Sequence, residues 1–445
     1  DLKRSNDFYL PELTNRFFEI PALQKGLSKL LLEFPTASIQ ILFGLILLSF
    51  YHPAFILFGI LLVVILGTIL YYTGARGLSS SIEESTQKYS LAAWLEEMAR
   101  GVKAFKFEPD GPVLTQNSEQ RTIRYLDKRT QHFRVLLFQY RILVFFKTTI
   151  TAAMLLVGSI LLLDQQLNIG QFIAAEIVIL IVIGAVEKLI GNLDSVYDVL
   201  TSVDKMAKLT EKPEELSGRL PMPWRKEGIT IELQQLRFGF HPEQKILEDV
   251  NGRIPSGGKA CITGPDGSGK STLLQLMGGI YTDFEGGLLY DGIPIANYQI
   301  DTLRAQIGIS LSGQHIFQGS VWENVTMGRT DITIEELMEW TVALRFDKQL
   351  QEWPLGWDTP LSPLGSHLSG STIRKILLLR AMAKKPRLLL LEEPWRGCGE
   401  ADRKAIQDLL LHLPDSITVV VVTSDADFVA RCPIRIELNP ASTNA

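Results

Sequence analysis

Nine consecutive residues, Gly264, Pro265, Asp266, Gly267, Ser268, Gly269, Lys270, Ser271 and Thr272, set glycines, a lysine and three hydroxyls at fixed offsets. A loop of this composition, GPDGSGKST, can turn successive backbone N–H groups onto phosphate oxygens, above all where it opens a helix. Lys270 can reach the β- and γ-phosphates of a nucleoside triphosphate, and the Ser271 hydroxyl can ligate Mg2+. The flanks supply the setting: KACIT reads as a strand entering the loop, and LLQLMGGI as an apolar helix leaving it. Further on, RLLLLEEPWRGC reads as a buried strand ending in two carboxylates. Glu392 is placed to hold the Mg2+ shell, and Glu393 to position or deprotonate an attacking water. Two merely exposed glutamates would fit poorly with a wholly apolar strand before them and Pro394 directly after.

These residues occupy the second half of a 445-residue chain, long enough for two or three domains. The formal net charge of −5 gives no basic surplus, so nucleic acid is not an expected partner. The three cysteines (Cys261, Cys398, Cys432) fit no metal spacing and read as inert free thiols. Apolar residues make up 46% of the chain and are concentrated in the first half. No charged residue occurs from Thr36 to Gly74, too long for one membrane span and suited to two, with a break at Tyr51-His52-Pro53. A second pair runs from Ile142 to Ile190 with a polar turn at 164–170. Four spans in two hairpins are therefore expected, at about 36–51, 53–73, 142–163 and 171–190. Neither hairpin loop carries a Lys or Arg, so both termini and the segments 1–35 and 75–141 are placed in the cytoplasm. The charged middle segment is expected to continue the helices past the membrane and turn at Glu108-Pro109-Asp110-Gly111. Glu176, inside the last span, is either a functional carboxylate or a helix-contact glutamate near the outer leaflet. The expected division is a membrane domain at 1–210, a linker at 211–228 and an α/β P-loop domain at 229–445.

Between the loop and the carboxylates stand IGISLSGQHIFQGSVWENV and LSGSTIRKILLLRAMAKKPRLLLLEEP. In this order the segments resemble the nucleotide-binding domain of ABC transporters, and the membrane half is similar to the type I exporter fold. That resemblance implies several things. Phe240, in RFGFHP, would stack on adenine. Ser369, Gly370 and Ser371 would form the signature that meets ATP bound on a partner subunit. ATP and Mg2+ would be the cofactors. The exporter half has six spans, of which four are visible here; LPELTNRFFEIPALQKGLSKLL resembles the loop between the second and third, so two further spans are expected upstream of Asp1.

The chain departs from the family pattern at several points. Ser312 stands at the glutamine of the Q-loop, with Gln314 two residues on. Ser371 and Thr372 replace Gly and Gln in the signature. Glu392 replaces Asp, Gly399 the closing aspartate of the D-loop, and Pro363 an acidic position before the signature. Ser424, after ITVVVVT, stands at the switch histidine, and no histidine follows His412. The groups that hold the triphosphate remain, while groups that orient the γ-phosphate and water are eroded. Such groups contribute roughly 10²–10⁴-fold in rate, so firm ATP binding with slow turnover is expected. The resemblance implies a dimer, with a second copy or a related half-transporter, in a lipid bilayer such as a bacterial inner membrane, with the ATPase domain in the cytoplasm. The expected function is export of an unidentified substrate; the alternative is an ATP-binding regulatory or scaffold subunit of a secretion complex.

Overall fold

The structure, a computed structural model, describes residues 14–439 apart from 109–110, 211–213 and 242–243. It divides into two compact units, with the boundary between Pro213 and Glu214.

The first unit is helical: α1 (Glu19–Tyr51), α2 (Ala54–Arg100), α3 (Pro112–Leu163), α4 (Ile169–Gly191) and α5 (Leu193–Thr210), with a short helix at Val102–Phe107. Among the described residues, four helical stretches are long and apolar enough to cross a membrane, the last combining α4 and most of α5. Apolar side chains such as Phe43, Leu57 and Leu156 are 64–71% exposed, which suits lipid and not water. The expected spans are portions of longer helices. α1 does not start at Thr36: it runs from Glu19 through Pro35, so residues 19–35 are helix and not loop. Proline costs one backbone hydrogen bond there without ending the helix. Segment 75–141 likewise consists mainly of the extensions of α2 and α3. Gly111 caps α3 with Pro112 in its first turn, while Pro109 and Asp110 of the expected turn lie outside the described residues.

Both hairpin turns are built locally. His52 is extended (φ −161°, ψ 143°) and breaks the helix before Pro53 caps α2. At the other turn Asn168 and Gln171 form a reciprocal capping box, with Gln171 N donating to Asn168 Oδ1 at 2.8 Å. His52 Nε2 and Gln166 Oε1 are 2.9 Å apart, so the two turns, neither of which carries Lys or Arg, lie side by side at one end of the unit. α1 packs on α4 and α5, and α2 on α3. Polar groups tie the helices together at depth. Gln139 Nε2 donates to Thr73 Oγ1 and to Tyr197 Oη, each at 2.8 Å. Glu19 accepts from Ser202 Oγ at 2.6 Å and from the Tyr89 hydroxyl. Glu176 is half-buried on α4 beside Thr151, Met154 and Phe172.

Among its described residues the second unit forms three sheets. An antiparallel sheet has the order β2-β1-β4-β5, with β1 (Ile231–His241), β2 (Gln244–Ile254), β4 (Glu285–Tyr290) and β5 (Ile293–Pro294). A parallel sheet has the order β11-β3-β10-β9-β6, with β3 (Lys259–Thr263), β6 (Ile307–Ser310), β9 (Leu388–Glu392), β10 (Thr418–Val422) and β11 (Ile434–Glu437). A two-stranded ribbon pairs β7 (Gly319–Ser320) with β8 (Pro360–Leu361). Around them pack α6 (Lys270–Met277), α7 (Gly370–Ala383), α8 (Glu400–Leu411) and other helices. The central parallel strands β9 and β10 are buried on both faces, which is why they read as unbroken apolar runs. In β9, Leu388 and Leu390 enter one core cluster and Leu389 and Leu391 the other. The expected linker does not stay free of this unit. Gly218 N donates to Tyr298 O at 2.9 Å, Gln299 N to Leu220 O at 2.7 Å, and Met222 is buried in the core.

Candidate functional site

β3 delivers the chain into the loop 264–269, and α6 begins at Lys270. Gly269 caps that helix at φ +83°, and a Cβ there would lie 2.6 Å from Leu247 Cδ2. At Gly264 a Cβ would lie 2.4 Å from the carbonyl oxygen of Leu438. Only glycine suits both places. Lys270 Nζ donates to the carbonyls of Gly264 (2.8 Å) and Pro265 (2.7 Å), which hold its ammonium over the loop. A cleft of about 810 Å3 opens in front of it, and Asp266, Gly267, Gly269, Ser271 and Thr272 reach its wall. Pro265 shapes the turn instead, accepting from Ser268 N at 3.2 Å. Ser268 is buried, and its Oγ has no hydrogen-bond partner among the described residues.

Across the cleft, β9 ends in the two carboxylates. Glu392 accepts from Ser271 Oγ at 2.5 Å and from Ser312 N at 2.8 Å. One side chain thus joins the P-loop hydroxyl to the backbone at the Q-loop position. Hydroxyl and carboxylate oxygens are hard donors, the set that Mg2+ takes together with phosphate and water; Ser271 and Glu392 fit the ion on that ground. Glu393 lies at φ +42°, a backbone region that side chains seldom adopt. Its carboxylate accepts from Ser424 N (2.9 Å), Ser424 Oγ (3.4 Å) and Thr423 Oγ1 (3.2 Å). Ser424 therefore holds the carboxylate mainly through its backbone.

The remaining candidate residues lie outside this cleft. The Phe240 ring packs edge-on against Phe238 and Tyr281, at centroid distances of 5.2 and 5.5 Å, and lines a separate neighbouring hollow. Ser369 is the N-cap of α7, and its Oγ accepts from Thr372 N at 3.1 Å. Gly370 is the first residue of that helix. Ser371 Oγ donates to Asp402 on α8 at 3.2 Å, and Thr372 Oγ1 donates to Gln349 Oε1 at 2.9 Å. Both replaced signature positions are thus used in packing their own subunit. Such bonds could not be foreseen from spacing, because Gln349 and Asp402 are distant in sequence.

Two family comparisons agree with this geometry. The family described as the ABC transporter transmembrane region matches residues 7–186, and that described as ABC transporter matches residues 247–396. Membrane region and ATPase are fused in one chain, and together the matches take in well over half of it. The chain belongs to the ABC transporter family.

Among its transporter relatives is the mitochondrial iron-sulfur clusters transporter ATM1 of Saccharomyces cerevisiae, 32% identical over 47% of this chain and 29% of that one. Heavy metal tolerance factor 1 of Caenorhabditis elegans is 29% identical over 49% of this chain and 27% of that one. In each case the match spans less than a third of the relative's length. A solved structure described as a bacterial Atm1-family ABC exporter with ATP bound shares the fold, with a TM-score of 0.88 at 17% identity, over 98% of this chain and 78% of that one. Two residues that motif reading passed over bear on this cleft. Thr423 directly precedes Ser424 and reaches Glu393, and Arg396 lines the cleft three residues after Glu393. A threonine ending an apolar strand carries no signal of its own. An arginine inside EEPWRGC, beside two carboxylates, was the one cue available.

Proposed function

We propose that this chain is an ABC exporter half that binds Mg-ATP at the P-loop and hydrolyses it slowly, driving an unidentified substrate out of the cytoplasm. The observation that supports this best is the meeting of Lys270, Ser271, Glu392 and Glu393 in one cleft, with Glu393 held by Thr423 and Ser424. Lys270 and the loop N–H groups, from Asp266 to Thr272, bind the phosphates, with Gly264 and Pro265 shaping the turn that presents them. Ser271 and Glu392 hold Mg2+, which offsets phosphate charge when bound. Glu393 orients the attacking water and takes its proton. Phe240 bounds the adenine side. Ser369, Gly370 and Ser371 face the nucleotide of a second subunit, which is a second copy of this chain or a related half-transporter. The eroded orienting groups limit the rate and leave the binding groups intact.

The test is a pair of variants of the full chain in lipid. Lys270→Ala is expected to lose ATP binding, because it removes the charge on the β/γ-phosphates. Glu393→Gln is expected to keep ATP affinity and lose hydrolysis. Hydrolysis at the unaltered rate in Glu393→Gln would remove Glu393 from this role. ATP binding without any ATP-driven movement across the membrane would favour the regulatory or scaffold reading.

A further inference from the structure

Besides Lys270, one other cationic side chain reaches the wall of the nucleotide cleft among the described residues: Arg396. The turn after β9 sets its place. Trp395 is buried, its ring centroid 4.8 Å from that of Phe428, and anchors the turn in the core. Arg396 N donates to Glu393 O at 3.1 Å and Cys398 N to Trp395 O at 3.0 Å, while Gly397 takes φ +80°. Next to the anchored tryptophan, the arginine is left exposed towards the cleft. No hydrogen bond or ion pair engages its guanidinium among the described residues, although Glu392 and Glu393 line the same cleft. Most other arginines of this unit are engaged: Arg387 with Asp291, Arg304 with Glu215, Arg380 with Asn324.

Charge balance gives this arginine a task. Glu392, Glu393 and Asp266 bring three carboxylates to the cleft against Lys270 and Arg396. A triphosphate adds several more negative charges, and Mg2+ offsets only part of them. Lys270 sits at the P-loop, while Arg396 belongs to the turn that carries Glu393, where the terminal phosphate meets its attacking water. A guanidinium suits two phosphate oxygens at once.

We infer that Arg396 is a γ-phosphate-binding residue of this ATPase, which supplies at the terminal phosphate the positive group that the absent switch histidine does not. It contacts ATP and not ADP, because only ATP extends to that end of the cleft. This rests on the P-loop binding ATP as proposed above.

The experiment measures equilibrium binding of Mg-ATP and Mg-ADP to the full chain in lipid for the unaltered protein, Arg396→Ala, Arg396→Lys and Lys270→Ala. Losing a charge-assisted contact to phosphate is expected to weaken ATP about tenfold or more in Arg396→Ala, with ADP changed by less than about threefold. Arg396→Lys should recover part of the loss. Equal weakening of ATP and ADP, or no weakening of either, overturns the inference. Retained ATP binding in Lys270→Ala would instead overturn the P-loop reading, so the two failures are separable. Arg396 is exposed and anchors no core contact, and an unchanged ADP affinity confirms that the variant is folded.

Discussion

Glu393 is placed by its neighbours more than by its own strand. Thr423 and Ser424 hold its carboxylate from the end of β10, and the Ser424 bond is chiefly a backbone one. Two expectations follow at this scale. Thr423→Val should slow hydrolysis about fivefold, the effect of one hydrogen bond worth about 1 kcal/mol, with ATP affinity unchanged; paired turnover and binding assays check it. Ser312→Gln together with Ser424→His should speed hydrolysis roughly tenfold or more, because each leaves its backbone N–H on Glu392 or Glu393 and adds an orienting side chain. An unchanged rate in that double variant would mean that Arg396, or Gln314, has already taken over the task. The P-loop and the paired glutamates were legible because their chemistry is written in contiguous residues. The bonds of Thr423, Ser371 and Thr372 were not, since each partner comes from a distant segment.

The elements carry two tests of stability. Arg387 is buried at the start of β9, with an ion pair to Asp291 at 2.8 Å and donations to Glu227 O and Gln306 Oε1. It fastens the parallel sheet to the turn after β4. Arg387→Ala leaves Asp291 and several carbonyls without that partner, and should destabilise the ATPase unit by about 3–5 kcal/mol, read as a fall in its denaturant midpoint. In the membrane unit, burial pushes the Glu19 carboxyl up, but Ser202, Tyr89 and Lys88 outweigh it and leave it below the usual value. A folded-state value below the unfolded one means stability that is present above the ordinary glutamate range, near ~4.3, and is lost as pH falls through the lowered value. Glu19→Gln should therefore melt earlier than the unaltered protein at pH 7, and the gap should close on acidification. The helices were recognisable as spans from their uncharged runs, yet their ends were not. Charge marked the continuation in the middle segment, but the first span was placed from Thr36, where the uncharged run begins, while the helix reaches back to Glu19 through Pro35.

For the whole molecule, one chain carries a membrane region and one ATPase, and the signature residues of α7 lie apart from the cleft they would complete. Glu393→Gln with ATP should accordingly shift the purified chain from monomer to dimer by light scattering. A chain that stays monomeric would need a related half-transporter to close its sites. The central claim is firm binding with slow turnover, and ATP affinity beside substrate-free ATPase rate, measured on the same protein in lipid, tests it most directly. Against an ordinary enzyme rate of about 10 s⁻¹, loss of one orienting group at about 10²-fold places turnover at roughly 0.1 s⁻¹ or below, with ATP binding that Lys270→Ala abolishes. Turnover near 10 s⁻¹ in the unaltered protein, or binding too weak to saturate at millimolar ATP, would contradict it.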